Sequence, residues 1–433
     1  MGDFRIPFVR ETLKNGLRVQ IVPLNHLHRV ELLFAIRAGS RFESARENGL
    51  SHVVEHLLFR GNERRESAAE LARAFDEIGA DLEPSTSVEL VEYPISLPPE
   101  RLEEGLLELY HLVATPLFRD LEIEKEILRE ELREDLDEDG RELNIDNLSR
   151  RALFGKGPLG QSIGGPISNL DRFTADELRA HHARFYVGAN ASLTLAGRVD
   201  EAEALRLARE IFGGLPQGER ASFESQSIAS PKTRLSIVKN DDPQSELRIA
   251  FLAPGARDAR YAVLALFLEL LDGGMGGLLQ RRIVDERGLA YFAFASFDAH
   301  PDQGVLEIGG TLSHAKLLEF IEASLELLEE LGGPNAEALI DARTLASIKQ
   351  RSRWAIESLV DEPGAIAQYL SEDLLNEIGR PLEQLLEEIE AVSASDLIQF
   401  ARDCLGREKA SITIVGEVSR AARAALKSAI RLV

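Results

Sequence analysis

The sequence is short of several things, and each shortage narrows what the chain can do. It holds one cysteine, Cys404, among 433 residues. No intramolecular disulfide can form, and any metal site has to be built from histidine and carboxylates. Basic residues are few: 50 Lys and Arg stand against 73 Asp and Glu, a formal net charge of −23. Such a chain repels a phosphate backbone, no basic patch offsets the excess, and nucleic acid is set aside as a partner. The acidic excess serves solubility and favours cationic ligands. No apolar run approaches the roughly 18 residues that cross a bilayer, so no membrane is expected. The opening stretch MGDFRIPFVRETLKNG lacks a basic-then-apolar leader. That predicts a cytoplasmic protein, or a periplasmic one if a signal has been removed. Aromatics are only 6%, but the hydrophobic share of 44% is ordinary for a globular protein. The length allows two or three domains with sizeable cores.

What is present, first, is a chain written twice. ASLTLAGRVD at Ala191–Asp200 resembles ASITIVGEVS at Ala410–Ser419. TADEL from Thr174 resembles SASDL from Ser393; each opens with a helix-capping residue followed by acids. ELLFAIRAGSR at Glu31–Arg41 resembles ELRIAFLAPGAR at Glu246–Arg257, an apolar strand ending in a Gly turn and Arg. Extended segments such as GLRVQIVPL alternate with long helical runs such as LLEFIEASLELLEELG. This predicts an α+β protein made of two homologous α/β sandwich domains, each a mixed or antiparallel sheet covered by helices, from an internal duplication. The expected boundaries are 1–220 and 235–433, joined by a linker at 221–234 that ends the Gly-, Pro- and Ser-rich stretch Gly213–Arg234.

Second, the stretch GLSHVVEHLLFRG at Gly49–Gly61 sets His52, Glu55 and His56 in apolar surroundings. It reads as a helix capped by Asn48, on which the three side chains share one face. Two imidazoles one turn apart can hold one zinc ion, and Glu55 between them can take a proton from a water that zinc acidifies. His-x-x-Glu-His is a recognised inverted zinc-peptidase pattern. A buried histidine is commonly no more than a satisfied core residue, but the repeat supplies a control. With Gly61 set against Gly273, the matching positions are Leu264, Phe267 and Leu268. The polar trio is therefore not a demand of the fold, and three ionisable groups in an apolar stretch are costly unless paired or coordinated.

A catalytic zinc needs a third protein ligand, here a His, Asp or Glu. The acidic helix LEIEKEILREELREDLDED offers many. Its apolar stripe reads as Ile127, Leu128, Leu132 and Leu136. Glu131 borders that stripe, whereas Glu130 points outward. Glu124 lies two turns earlier on the side of Glu131. Glu131 is the expected ligand, with Glu124 as its supporting or alternate carboxylate.

The run NGLRVQIV, RAGSR, GLSHVVEHLLFRG, EKEILREEL and GPLGQSIGG resembles the pitrilysin/insulysin family of inverted zinc metallopeptidases, in its half-size, bacterial processing-peptidase-like branch. The resemblance spans essentially the whole chain. It implies one zinc per chain on His52, His56 and Glu131, Glu55 as general base, Glu124 as supporting acid, and hydrolysis of short or unfolded peptides in a dimer-enclosed chamber. RRIVDERGLAYFAF at Arg281–Phe294 resembles the family's substrate-binding segment, where a Tyr and an Arg seven positions before it hold the peptide. Tyr291 matches; Val284 stands where the Arg belongs, with Arg282 and Arg287 nearby. The resemblance then implies a homodimer, or a heterodimer whose related partner supplies the Arg/Tyr pair. The alternative is a non-catalytic or weakly active partner subunit. The segment DLEPSTSVELVEYP also departs from the family's Asn-Ala strand.

Overall fold

The computed structural model describes residues 6–430, apart from 7, 226 and 227. Residues 226 and 227 of the expected linker, and the extreme ends of both expected domains, lie outside the described residues. The chain forms two compact units. Unit 1 takes the chain up to Glu134, then Gln161–Glu224 and Glu357–Gly379. Unit 2 takes Asp135–Gly160, the chain from Ser225 to Ile356, and the chain from Arg380 onward. Elements are numbered in chain order.

Unit 1 is built on strands β1 (Val9–Thr12), β2 (Arg18–Pro23), β3 (Val30–Ile36), β4 (Asp81–Leu82), β5 (Ser85–Thr86), β6 (Val91–Leu97) and β7 (Ala191–Gly197). The order is β1-β2-β7-β3-β6-β4, with β5 also on β6. Among the described residues of this sheet, only β2 and β7 run parallel. Strands β3 and β7 are buried at every position, which is why VELLFAI, Glu31 apart, and ASLTLAG read as runs of apolar and small residues rather than alternating ones. One face of the sheet carries helices α1 (Leu50–Leu58), α2 (Ala68–Glu77), α3 (Leu102–Ala114), α7 (Ala175–Phe185) and α8 (Glu201–Phe212), with α4 (Leu121–Glu134) and α6 (Ile167–Leu170) beside them. Phe34 and Ile36 of β3 meet Val53, Leu57, Leu109 and Phe212 in the core there. The opposite face is covered by α12 (Pro363–Leu375), which comes from the far end of the sequence. That contact is partly polar. Gln20 donates to the carbonyl of Leu370 at 3.0 Å, and the hydroxyls of Thr194 and Ser371 pair at 2.9 Å.

Unit 2 repeats the plan with β8 (Leu235–Val238), β9 (Ser245–Ala253), β10 (Ala293–Ala299), β11 (Gly304–Leu312) and β12 (Ser411–Val415) in the order β10-β11-β9-β12-β8. Again one pair is parallel, β8 with β12. The helices are α5 (Ile145–Phe154), α9 (Tyr261–Asp272), α10 (Leu317–Leu331), most of α11 (Ala342–Glu357), α13 (Leu382–Ala391), α14 (Ala394–Cys404) and α15 (Arg420–Ala429). The fold is thus the duplicated α/β sandwich. Helix α5, from the first half of the sequence, lies on β9 and β12. It is the counterpart of α12 in unit 1. The repeated starts TADEL and SASDL both form capping boxes, on Thr174 and Ser393. In α9, Leu264 and Phe267 are fully buried, as a core helix requires. Among the described residues no helix is long and apolar enough to cross a membrane.

Candidate metal centre

The site is assembled on α1. Its hydrophobic side, Val53, Val54, Leu57 and Leu58, is buried in the core of unit 1. That anchoring leaves His52 and His56, one turn apart, on the opposite side with ring centroids 4.8 Å apart. The start of the helix differs from the sequence reading. Asn48 is not the cap: Gly49 takes that place at φ 106° and offers no side chain. The buried carboxylate of Glu43 does the capping, accepting from the backbone of Gly49 at 2.8 Å and Ser51 at 2.6 Å, and from the Asn48 amide at 3.3 Å. A carboxylate on the positive end of a helix is favoured there. Glu43 gave no sequence signal beyond being one more acid. Further along α1, the Ser51 hydroxyl and His181 pair at 3.1 Å.

Helix α4 lies against α1 and brings in the third group. The nitrogens of His52 and His56 and a carboxylate oxygen of Glu131 all lie within 4.8 Å of one another. His52 Nε2 is 3.4 Å from Glu131 Oε1, and His56 Nε2 is 3.7 Å from Glu131 Oε2. Tetrahedral zinc at about 2.0–2.1 Å from each ligand sets ligand atoms ~3.3 Å apart, so these three fit such an ion. The position of Glu131 corrects the reading of its helix in one respect. Ile127, expected in the buried stripe, is 46% exposed; Leu128 alone of that stripe is fully buried. Glu131 stands on the open side of α4, exposed beside the two imidazoles.

Around the trio the electrostatics are graded. Glu124 Oε1 meets His56 Nδ1 at 2.9 Å, and its other oxygen accepts from Arg60. Burial works against the charged form of Glu124, but these hydrogen bonds outweigh it and lower its pKa. An ionised Glu124 makes Nδ1 of His56 the donor, so that in the neutral ring Nε2 is the nitrogen with the lone pair, on the Glu131 side. Burial also opposes charge on His56, yet the Glu124 hydrogen bond and the charges of Glu55 and Glu131 raise its pKa. For His52, burial and then the neighbouring His56 push the pKa down to about 4, so this ring is neutral at physiological pH. Gly164 packs against His52 so closely that a Cβ there would meet Leu132 at 2.6 Å and His52 Nδ1 at 3.4 Å. Gly164 thus walls the site on the His52 side.

Glu55 projects from the same helix into a nearly closed setting, 6% exposed. Thr86 donates its hydroxyl to Glu55 Oε2 at 2.7 Å. Burial raises the Glu55 pKa. A carboxyl group so placed accepts and returns protons more readily than an ordinary surface glutamate. The phenols of Tyr93 and Tyr186, paired at 2.6 Å, lie within range of its charge. His52, Glu55, His56, Glu124 and Glu131 are therefore brought together in unit 1. Tyr291 belongs to unit 2, where it follows a stretch of π-helix and is 99% exposed. The two arginines near it are engaged on α10: Arg282 with Glu330 at 3.1 Å and Arg287 with Glu326 at 3.3 Å.

Fold and sequence together are those of a two-repeat scaffold that carries an inverted His-x-x-Glu-His motif on α1. Sequence profiles agree: one described as insulinase (peptidase family M16) matches residues 22–167, and one described as the peptidase M16 inactive domain matches residues 172–345. The chain belongs to the M16, or insulinase, peptidase family. It is 27% identical over 396 residues to a protein of Rickettsia felis named an uncharacterized zinc protease, covering 90% of this chain and 93% of that one. A Bacillus subtilis protein named uncharacterized zinc protease YmxG is 26% identical over 399 residues, covering 91% and 94%. Among solved structures, a protease from Helicobacter pylori superposes with a TM-score of 0.84 at 20% identity, over 95% of this chain and all of that one. The periplasmic protease PqqL of Escherichia coli gives 0.77 at 19% identity, over 99% of this chain but 50% of that one. The chain is thus a half-size member of the family.

Proposed function

We propose that this chain is a zinc-dependent endopeptidase that hydrolyses short or unfolded peptides. The observation that carries the reading is the convergence of His52, His56 and Glu131, with Glu55 held beside them on the same helix. Zinc, when bound, polarises a carbonyl and acidifies water. The protein's own part is as follows. His52, neutral through burial, and His56, held through Nδ1 by Glu124, present ring nitrogens to one ion, and Glu131 supplies the anionic ligand. Glu55 takes a proton from the attacking water and delivers it to the departing amine. The raised pKa of Glu55 suits that return step. Tyr291, exposed and matched to the family's substrate-binding segment, contacts the peptide in an assembly of two chains enclosing a chamber.

A second reading is supported by Val284, which occupies the place of the expected Arg, and by the engagement of Arg282 and Arg287 with glutamates. On that reading the chain is the weakly active or non-catalytic partner in a heterodimer with a related chain. One experiment separates the two. The purified chain is assayed for zinc and for cleavage of a quenched peptide, alone and as Glu55→Gln. Bound zinc with cleavage that Glu55→Gln abolishes supports the peptidase. Zinc without any cleavage supports the partner subunit, and the absence of zinc from a metal-replete preparation rejects both the metal and the hydrolase. A stable, active homodimer in gel filtration with mass measurement excludes the need for a heterologous partner.

A further inference from the structure

The edge segment of unit 1 holds a side chain that the zinc-site residues do not account for. Strand β5 is two residues long and pairs with β6 through Ser85 opposite Glu92 and Thr86 opposite Val91. It is closed by a tight turn in which the Ser87 amide donates to the carbonyl of Leu90 at 2.8 Å and the Ser87 hydroxyl to the same carbonyl at 3.0 Å. Thr86 is thereby fixed at the last position before a doubly stitched turn. Its side chain is β-branched, with few accessible rotamers. From that rigid place its hydroxyl reaches α1 and donates to Glu55 Oε2 at 2.7 Å.

The geometry points to Thr86 as the positioning residue of the general base, an inference that rests on the peptidase reading above. A glutamate has three side-chain torsions, and a buried carboxylate without a partner would sample several of them. Thr86 occupies one oxygen, so that proton transfer is left to the other. It is a neutral donor on a rigid edge, so it orients Glu55 without neutralising it, as Lys or Arg would. Thr86 touches neither the ligand set nor, in this role, the reacting atoms; it acts through Glu55. The same short segment, EPSTSVELVE, is where the sequence departs from the family's usual strand, and Thr86 gives it a function of its own.

The test uses the full-length, zinc-loaded chain as Thr86→Val, which keeps the shape and removes the donor, and Thr86→Ser, which restores the donor. A hydrogen bond to a charged group predicts that Thr86→Val lowers kcat about 10- to 100-fold. KM and zinc content stay at the wild-type values, and Thr86→Ser recovers most of the rate. Wild-type kcat in Thr86→Val overturns the inference. So does a joint change in KM and zinc content, which would mark Thr86 as merely structural, and so does a Thr86→Ser variant as slow as Thr86→Val. A second readout stands apart from activity. Crystal structures of the zinc-loaded wild type and variants should show the Glu55 carboxylate in one conformation with Thr or Ser and in several with Val. An unmoved Glu55 in Thr86→Val overturns the inference even if the wild-type chain proves to cleave no peptide, an outcome that would by itself count only against the peptidase reading.

Discussion

His56 and Glu124 are joined through Nδ1 and Oε1 at 2.9 Å, and Arg60 closes the far side of the same carboxylate. A line of three side chains on α1, its end and α4 thereby sets the tautomer of one expected ligand. Partners of this kind commonly tune metal affinity 10- to 100-fold. Glu124→Gln should therefore weaken zinc binding by roughly that factor, and Arg60→Met by less, because Glu124 keeps its contact with His56. Competition with a chromophoric chelator measures both. If Glu124→Gln binds zinc as tightly as the wild type, the line is not a positioning device.

Removing a ligand is a different matter from removing its support. His52→Ala, His56→Ala and Glu131→Gln each delete one corner of the trio. After dialysis, zinc in each variant should drop from about one ion per chain to near zero. Glu55→Gln should keep the ion and lose rate, by about 10²–10⁴-fold in kcat for a lost general base. Elemental analysis and the peptide assay, run on the same preparations, separate the ligands from the base.

The cap on α1 has a stability that can be measured directly. Glu43 meets two backbone amides and one side-chain amide from a fully buried position, where burial raises its pKa. Glu43→Ala leaves those donors unmet, at a cost of about 2–3 kcal/mol in urea unfolding. Because Ser51 precedes His52, zinc affinity should fall in parallel. Unchanged stability would mean that water replaces the carboxylate at no cost.

A pH effect comes from the other face of the sheet. Glu92 on β6 is 8% exposed, and its Oε1 finds no hydrogen-bond partner among the described residues. Burial, and then the charge of Glu372, push its pKa up to about 7 from an ordinary 4.5. The folded chain therefore keeps a proton on Glu92 that the unfolded chain releases. The contribution of Glu92 to stability should decline as pH rises from about 4.5 to about 7 and then level off, by about 3 kcal/mol. The buried His52, His181 and His182, pushed down to between about 3 and about 4, act in the opposite direction below about pH 6.5, so the Glu92 part is read as a difference between wild type and variant. Glu92→Gln should remove that contribution and so stabilise the protein relative to the wild type at pH 8. Denaturation curves of wild type and Glu92→Gln between pH 4.5 and 8 test it; a stability difference between the two that stays constant over this range would contradict the assignment.

Much of this protein was legible without coordinates, and the reasons are local. Two histidines at helical spacing share a face whatever the rest of the chain does, so His52 and His56 could be paired from sequence. A duplicated chain shows itself when strands and caps recur in order, as Ala191–Gly197 and Ser411–Val415 do. Where the sequence reading slipped, the deciding contacts were distant. Ile127 has the period of a buried residue, but which side of α4 meets α1 is set by packing between helices, and that packing leaves Ile127 exposed. Asn48 has the chemistry of a cap, yet the carboxylate of Glu43 takes the amides because the bend at Gly49 presents them to it.

By itself, then, the sequence determined the repeat, the strands, the helix that carries His52, Glu55 and His56, and the family those residues belong to. The tertiary structure alone decided which hydroxyl holds Glu55, which carboxylate caps α1, and that helix α12 covers the sheet of unit 1 while α5 covers that of unit 2. Periodicity and capping are interactions among near neighbours in the chain, and the order of residues records them. The meeting of Glu131 with His52, or of Thr86 with Glu55, depends on where whole helices and strands come to rest, which is settled only when the apolar faces of all of them are buried together.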